Sequence, residues 1–379
     1  MKKQVLLMAA LSAAGCVTAP AQAQDQVRIG HVAAMTGAVA HFGKDSENGV
    51  RMAIDALNAR GATIGGKKVK WVLVGEDDAG DPKQATAAAQ KLADARVNAV
   101  IGHETSGTTI PASKIYHDAG IPQISASTTS PKYTQQGFNT AFRVVANDIQ
   151  LGRVLGRYAA KTMGVKRVAV IDDRTAYGQG LANEFSIGLR QQGVNVVAKE
   201  FTNDKATDFA AILTRVRASN PDLVFFGGMN AVAGPMLRQM KQLGLNARMM
   251  GGDGICSDEM HKLSGGTMAD GQVVCAEAGG VEAAGKAAMD KFRADYRKRY
   301  GIDVQIIAPY SYDATLLLAA AMDKAGSADP AKYLPVLAKT QYKGVTGNIA
   351  FDNRGDIRDG AITLYTFKGG HRTEIAVTK

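Results

Sequence analysis

Short apolar runs of strand length recur along this chain, each followed by apolar residues at helical spacing, and that alternation limits the fold to very few architectures. Residues 27–33 read as a strand. Between Gly49 and Arg60, Val50, Ala53, Ile54 and Leu57 then fall on one buried helix face at i, i+3, i+4 and i+7. Residues 68–74 read as the next strand. Asp81 followed by Pro82 supplies a carboxylate cap and a proline for a first helical turn, predicting a helix through the alanine-rich stretch to Ala95. Further strands are predicted at 97–101, 121–125, 167–171, 194–201, 223–226 and 248–250, separated by helical patterns. Such a series builds parallel, doubly wound α/β sheets with helices on both faces.

A chain of 379 residues is too long for one compact core and suits two domains. The first residues stand apart from the fold. Lys2 and Lys3 precede an apolar run at 5–15, which is shorter than the ~20 residues of a membrane-spanning helix. Ala21-Gln22-Ala23 then has the small residues a signal peptidase requires. Residues 1–23 are therefore expected to be a signal peptide cleaved after Ala23, sending the mature chain to the periplasm. Lipoprotein processing at Cys16 is the alternative, although Ala13 stands where such sites usually carry Leu. Export leaves Cys256 and Cys275, an even count expected to be bridged in an oxidising compartment, the alternative being two buried thiols.

Two stretches resemble boundaries: 142–148, where a second βα series begins, and 275–282, after which the pattern is helical for about 45 residues. Residues 347–377 read as hairpin-like strands with Gly and Asp turns. A helical block after a finished series implies a return to the first lobe. The expected lobes are 24–147 with 277–357, and 148–276 with 358–379.

Lys and Arg number 45 against 35 Asp and Glu, but the charges are scattered. The densest basic run, 291–299, is interleaved with Asp and Ala, so the basic stripe of a nucleic-acid binder is missing. Gly61-x4-Gly66-Lys67 approaches a phosphate loop, yet Lys68 replaces the required hydroxyl and the segment leads from helix into strand. Gly178-x-Gly180-x-x-Asn183 lacks the third glycine of a dinucleotide fingerprint. The six histidines show no ligand spacing and no serine sits in a nucleophile elbow, so neither an enzyme nor a cofactor is expected. Hydroxyls instead cluster after two strands, at Glu104-Thr105-Ser106-Gly107-Thr108-Thr109 and at Ser125-Ala126-Ser127-Thr128-Thr129-Ser130. Helix capping accounts for one such residue, but two clusters at strand carboxyl ends mark a ligand site.

Several further segments carry a family likeness. They are Ala34-Met35-Thr36-Gly37 with Phe42-Gly43, Asp77-Asp78-Ala79-Gly80-Asp81-Pro82, Val100-Ile101-Gly102-His103 and Pro111-Ala112-Ser113. Tyr177-Gly178-Gln179-Gly180, Phe226-Gly227-Gly228, Gly252-Asp253-Gly254 and Phe351-Asp352-x-x-Gly355-Asp356 follow in order. With these motifs the chain resembles the leucine/isoleucine/valine-binding proteins of ABC importers, with the type I periplasmic binding protein fold. The resemblance implies two Rossmann-like lobes joined by a three-stranded hinge, closing over an amino acid without catalysis. It also implies a membrane permease as partner and a monomeric receptor.

Carried over by position, Ser106 and Thr129 meet the ligand's carboxylate and ammonium, with the Ser127 carbonyl beside them. Tyr177 reaches the carboxylate and Asp253 pairs the ammonium. Phe42, Glu104, Thr105, Met229 and Tyr310 form the side-chain pocket. The cysteine pair that some relatives carry at the positions of Gly80 and Thr105 is missing. Glu104 stands where the family has an aliphatic residue, which keeps open a receptor for a polar or basic amino acid, an amide or an aromatic acid.

Overall fold

A computed structural model describes residues 25–378, so the leader, Cys16 and the cleavage site lie outside the described residues. The chain opens with β1 (Gln26–Ala33), α1 (Ala40–Ala59), a small hairpin of β2 (Thr63–Ile64) and β3 (Lys67–Lys68), then β4 (Lys70–Asp77) and α2 (Pro82–Asp94). It continues through β5 (Ala99–Gly102), α3 (Ser106–Asp118), β6 (Gln123–Ser125) and β7 (Ala141–Arg143). The second series is α4 (Asp148–Lys161), β8 (Val168–Asp172), α5 (Ala176–Arg190), β9 (Val196–Phe201), α6 (Ala210–Ala218) and β10 (Leu223–Gly227). It ends with α7 (Asn230–Gln242), β11 (Arg248–Gly251), α8 (Glu259–Leu263) and β12 (Val273–Glu277). Then come α9 (Lys286–Tyr300), α10 (Ala308–Ala325), α11 (Pro330–Leu337), β13 (Tyr342–Gly344), β14 (Gly347–Ile349), β15 (Ile362–Lys368) and β16 (His371–Thr378).

Two sheets carry the molecule. The first is parallel in the order β4-β1-β5-β6-β7, and the second runs β16-β15-β12-β11-β10-β8-β9. In the second sheet only β15 runs against the others, so its pairings with β12 and β16 are antiparallel. Both faces of the first sheet are covered. Val27 and Ile29 pack with Val50, Ile54 and Leu57 of α1 and Leu317 of α10, whereas Val32 packs with Leu92 of α2 and Tyr116 of α3. That split follows the period-two alternation of a strand buried on both sides. The chain crosses between the sheets three times, after β7, after β12 and before β15, and the first two crossings touch where the Ala146 N–H donates to the Ala278 carbonyl at 2.8 Å. Cys256 and Cys275 form a disulfide, with Cα atoms 5.3 Å apart.

The structure departs from the sequence expectations in three places. Helix α1 begins at Ala40 rather than near Gly49, because its first turns bury the polar Asp45 and Ser46 beside Phe42 and so lack an apolar stripe. The first edge strand is β4, displaced from 68–74 to 70–77, with polar Glu76 and Asp77 at its end. Residues 273–277 form a central strand of the second sheet that the pattern did not single out. Helix α10 returns to pack on α1, and Gly49 permits it: a Cβ there would lie 2.1 Å from the Ala308 carbonyl oxygen.

Candidate functional site

Strand order reverses at two points, between β1 and β5 in the first sheet and between β8 and β10 in the second. Loops diverge there and leave a crevice at the carboxyl ends of the strands. Helices begin at each crevice with their own caps. The Thr105 hydroxyl accepts from the Thr108 N–H at 3.3 Å, Asn147 from Ile149 at 3.1 Å, and Thr175 from Gly178 at 2.9 Å. Between the two sheets lies a cavity with about 530 Å³ of empty space, part of it open to solvent. From the first lobe it is lined by Phe42, Glu104, Thr105, Ser106, Ala126 and Ser127, and from the second by Tyr177, Met229, Asp253 and Gly254. The crossings contribute Val145, Glu277 and Ala278, and the start of α10 contributes Ile306, Ile307 and Tyr310.

Hydrogen bonds fix this wall. Ser127 Oγ donates to the Glu104 carbonyl at 2.7 Å, and the Ser130 N–H donates to Ser106 Oγ at 3.3 Å, tying the two hydroxyl clusters together. Arg143 of β7, fully buried, donates to the carbonyls of Thr128 at 3.1 Å and Ser130 at 2.8 Å and pairs with Asp356. Tyr177 donates its hydroxyl to Asp253 Oδ1 at 2.8 Å and accepts from the Gly254 N–H at 2.9 Å. Tyr310 donates to Glu277 Oε1 at 2.7 Å, and Arg372 Nη1 lies 3.6 Å from the other Glu277 oxygen. Bonds also join the lobes beside the cleft: Asn230 Nδ2 donates to His41 Nε2 at 3.0 Å, and Arg372 Nη2 to the Gln305 carbonyl at 2.5 Å.

The lining holds three carboxyl groups and no Lys, Arg or His. Burial pushes the Asp253 carboxyl up to about 6, with the Tyr177 hydroxyl opposing the shift. Burial also raises Glu104 well above the usual carboxylate range, and the neighbouring acids Asp78 and Asp45 add to that. Neither buried Glu104 oxygen has a hydrogen bond of standard geometry, although the Ala34 N–H approaches the carboxyl and opposes the shift.

Nine of the ten sequence-predicted residues are brought together: Phe42, Glu104, Thr105, Ser106, Ser127, Tyr177, Met229, Asp253 and Tyr310. Thr129 is the exception. Arg143 grips the carbonyls on either side of it, and its own carbonyl accepts from the Asp148 N–H at 2.8 Å. The Thr129 hydroxyl is thereby buried beside the Asp148 carboxyl without a bond of standard geometry, and it is not among the lining residues. Sequence reasoning missed Glu277, although an acid closing the buried run Val-Val-Cys-Ala-Glu obeys the same strand-end rule as the hydroxyl clusters. Ile306 and Ile307 carry no local signal, since only the return of α10 brings them to the cleft.

A family model described as periplasmic binding protein matches residues 26–371. An amino acid binding protein of Pseudomonas aeruginosa is 38% identical over 367 residues, covering 96% of this chain and 95% of its own. A leucine-, isoleucine-, valine-, threonine- and alanine-binding protein of the same organism is 34% identical, covering 97% of each chain. Among solved structures, a leucine-binding protein of Thermotoga maritima superposes with a TM-score of 0.83 at 28% identity, over 93% of this chain and 98% of that one.

Proposed function

The chain belongs to the periplasmic binding protein family, and from that premise we propose that it captures a free α-amino acid between its two lobes and presents it to the permease of an ABC importer. One observation carries this reading: hydroxyls and carboxylates from both lobes and from the crossings line the same cavity. A zwitterion stripped of water needs a partner for each charge. Ser106, Tyr177 and the first turn of α3 suit its carboxylate, while the Ser127 carbonyl, Asp253 and Glu277 suit its ammonium. The unpartnered Thr129 hydroxyl on the same loop is a further donor that a bound head group would bring into use. Charge-assisted hydrogen bonds contribute about 1.5–3 kcal/mol each, enough in combination for micromolar capture.

Closure follows from ligand contacts made to both lobes at once, which favour the closed state over the open one. In this reading the moving units are 24–147 with 277–357 and 148–276 with 358–379. The receptor is an exported monomer without turnover, cleaved after Ala23. A thermal-shift screen of the mature protein against the common L-amino acids tests the core claim. Ligand at a hundredfold excess over its Kd adds about 2.7 kcal/mol of stability. Analogues lacking the α-amine or the α-carboxylate are expected to give no shift. Equal shifts from those analogues, or none from any amino acid, refute it.

A further inference from the structure

The cavity holds more acid than a zwitterion neutralises. Asp253 is met by the Tyr177 hydroxyl, and Glu277 by Tyr310 and Arg372. Glu104 has no such neighbour. Its residue is 6% exposed, neither oxygen has a hydrogen bond of standard geometry, only the backbone N–H of Ala34 favours its charged form, and the charged groups that face it, Asp45 on α1 and Asp78 after β4, are themselves acids. Those two are already engaged. Asp45 accepts the backbone N–H groups of residues 305–308, and Asp78 pairs with His103 Nδ1 at 2.7 Å. An unpaired buried carboxyl is costly, and the cost is recovered when a donor arrives from outside. We propose that Glu104 receives the far end of the ligand, so that the captured amino acid carries a cationic nitrogen on its side chain. This rests on the amino-acid reading above and names the class within it. An ammonium or guanidinium supplies both the missing charge and the missing donors.

The decisive comparison is calorimetric titration of the mature protein with L-lysine, L-ornithine and L-arginine against L-leucine and L-norleucine, the last being lysine with a methyl group in place of the ammonium. At least one cationic ligand should bind more tightly than norleucine, by at least about tenfold. Glu104→Leu should reverse that preference and Glu104→Gln should abolish most of it. Thermal unfolding of both unliganded variants checks folding, and neither should unfold below the parent. Leucine, norleucine or a neutral amide such as glutamine binding the parent protein more tightly than every cationic ligand overturns the proposal and leaves the amino-acid reading standing. Failure of every amino acid to bind removes both.

Discussion

Replacing Asp45 with Asn tests whether one carboxylate holds the α10 wall of the cavity. Asp45 is buried on α1, and its Oδ2 accepts the N–H groups of Ile306 at 3.0 Å, Ile307 at 2.7 Å and Ala308 at 3.0 Å. Its Oδ1 accepts from Gln305 at 3.1 Å. Asparagine can turn its single oxygen toward the group of three, but those bonds then lose charge assistance, about 1 kcal/mol each. The amide nitrogen meanwhile faces the Gln305 N–H, donor against donor, and loses that bond. The attraction between a carboxylate and the α10 N-terminus is lost as well. The expected destabilisation is about 4 kcal/mol, and Asp45→Ala should exceed it because no acceptor remains. Urea denaturation at neutral pH measures it: the midpoint falls while the slope stays unchanged. Ligand affinity should fall too, since Ile306 and Ile307 line the cavity. A loss below about 1 kcal/mol with unaltered affinity would show that packing alone holds this wall.

Three further outcomes are expected. Burial, with the charge of Asp253 next, pushes the Asp148 carboxyl up to about 8, so the native state keeps a proton that the unfolded chain releases near its ordinary carboxylate pKa. Stability should therefore fall as pH rises from that range toward 8, and Asp148→Asn should flatten this slope and add a few kcal/mol near pH 8, read from urea midpoints across pH. A Cβ at Gly279 would lie 2.0 Å from the Tyr310 hydroxyl oxygen, so Gly279→Ala should push that ring off Glu277 and weaken ligand binding by about tenfold or more, measured by calorimetry. Opening the Cys256–Cys275 bridge, by reductant or by replacing both cysteines with Ala, should cost about 3 kcal/mol in chemical denaturation, the scale expected for a loop of this length.

The candidate site was legible where chemistry sits next to a strand end. Ser106 and Ser127 stand in hydroxyl-rich stretches directly after apolar runs, and Asp253 sits between glycines after another; each of these residues lines the cavity. Glu277 obeyed the same rule but was hidden, because residues 275–282 read as a boundary rather than as a strand. Thr129 shows what the same rule leaves undecided. Its position in the hydroxyl cluster pointed to the ligand, yet Arg143 and Asp148 set the direction of its loop.

Strand and helix periods, together with the caps at Asp81, Thr105, Asn147 and Thr175, are properties of a few adjacent residues, and so the alternating α/β order of both lobes was determined by the sequence alone. The tertiary structure decided which distant groups meet: Asp45 with the start of α10, Arg143 with Asp356, Tyr310 with Glu277, and Glu104 with no side-chain partner. The reason is physical. A carboxyl's protonation and its cost depend on everything within a few ångströms, and at this site those neighbours come from segments up to some two hundred and sixty residues apart in the chain.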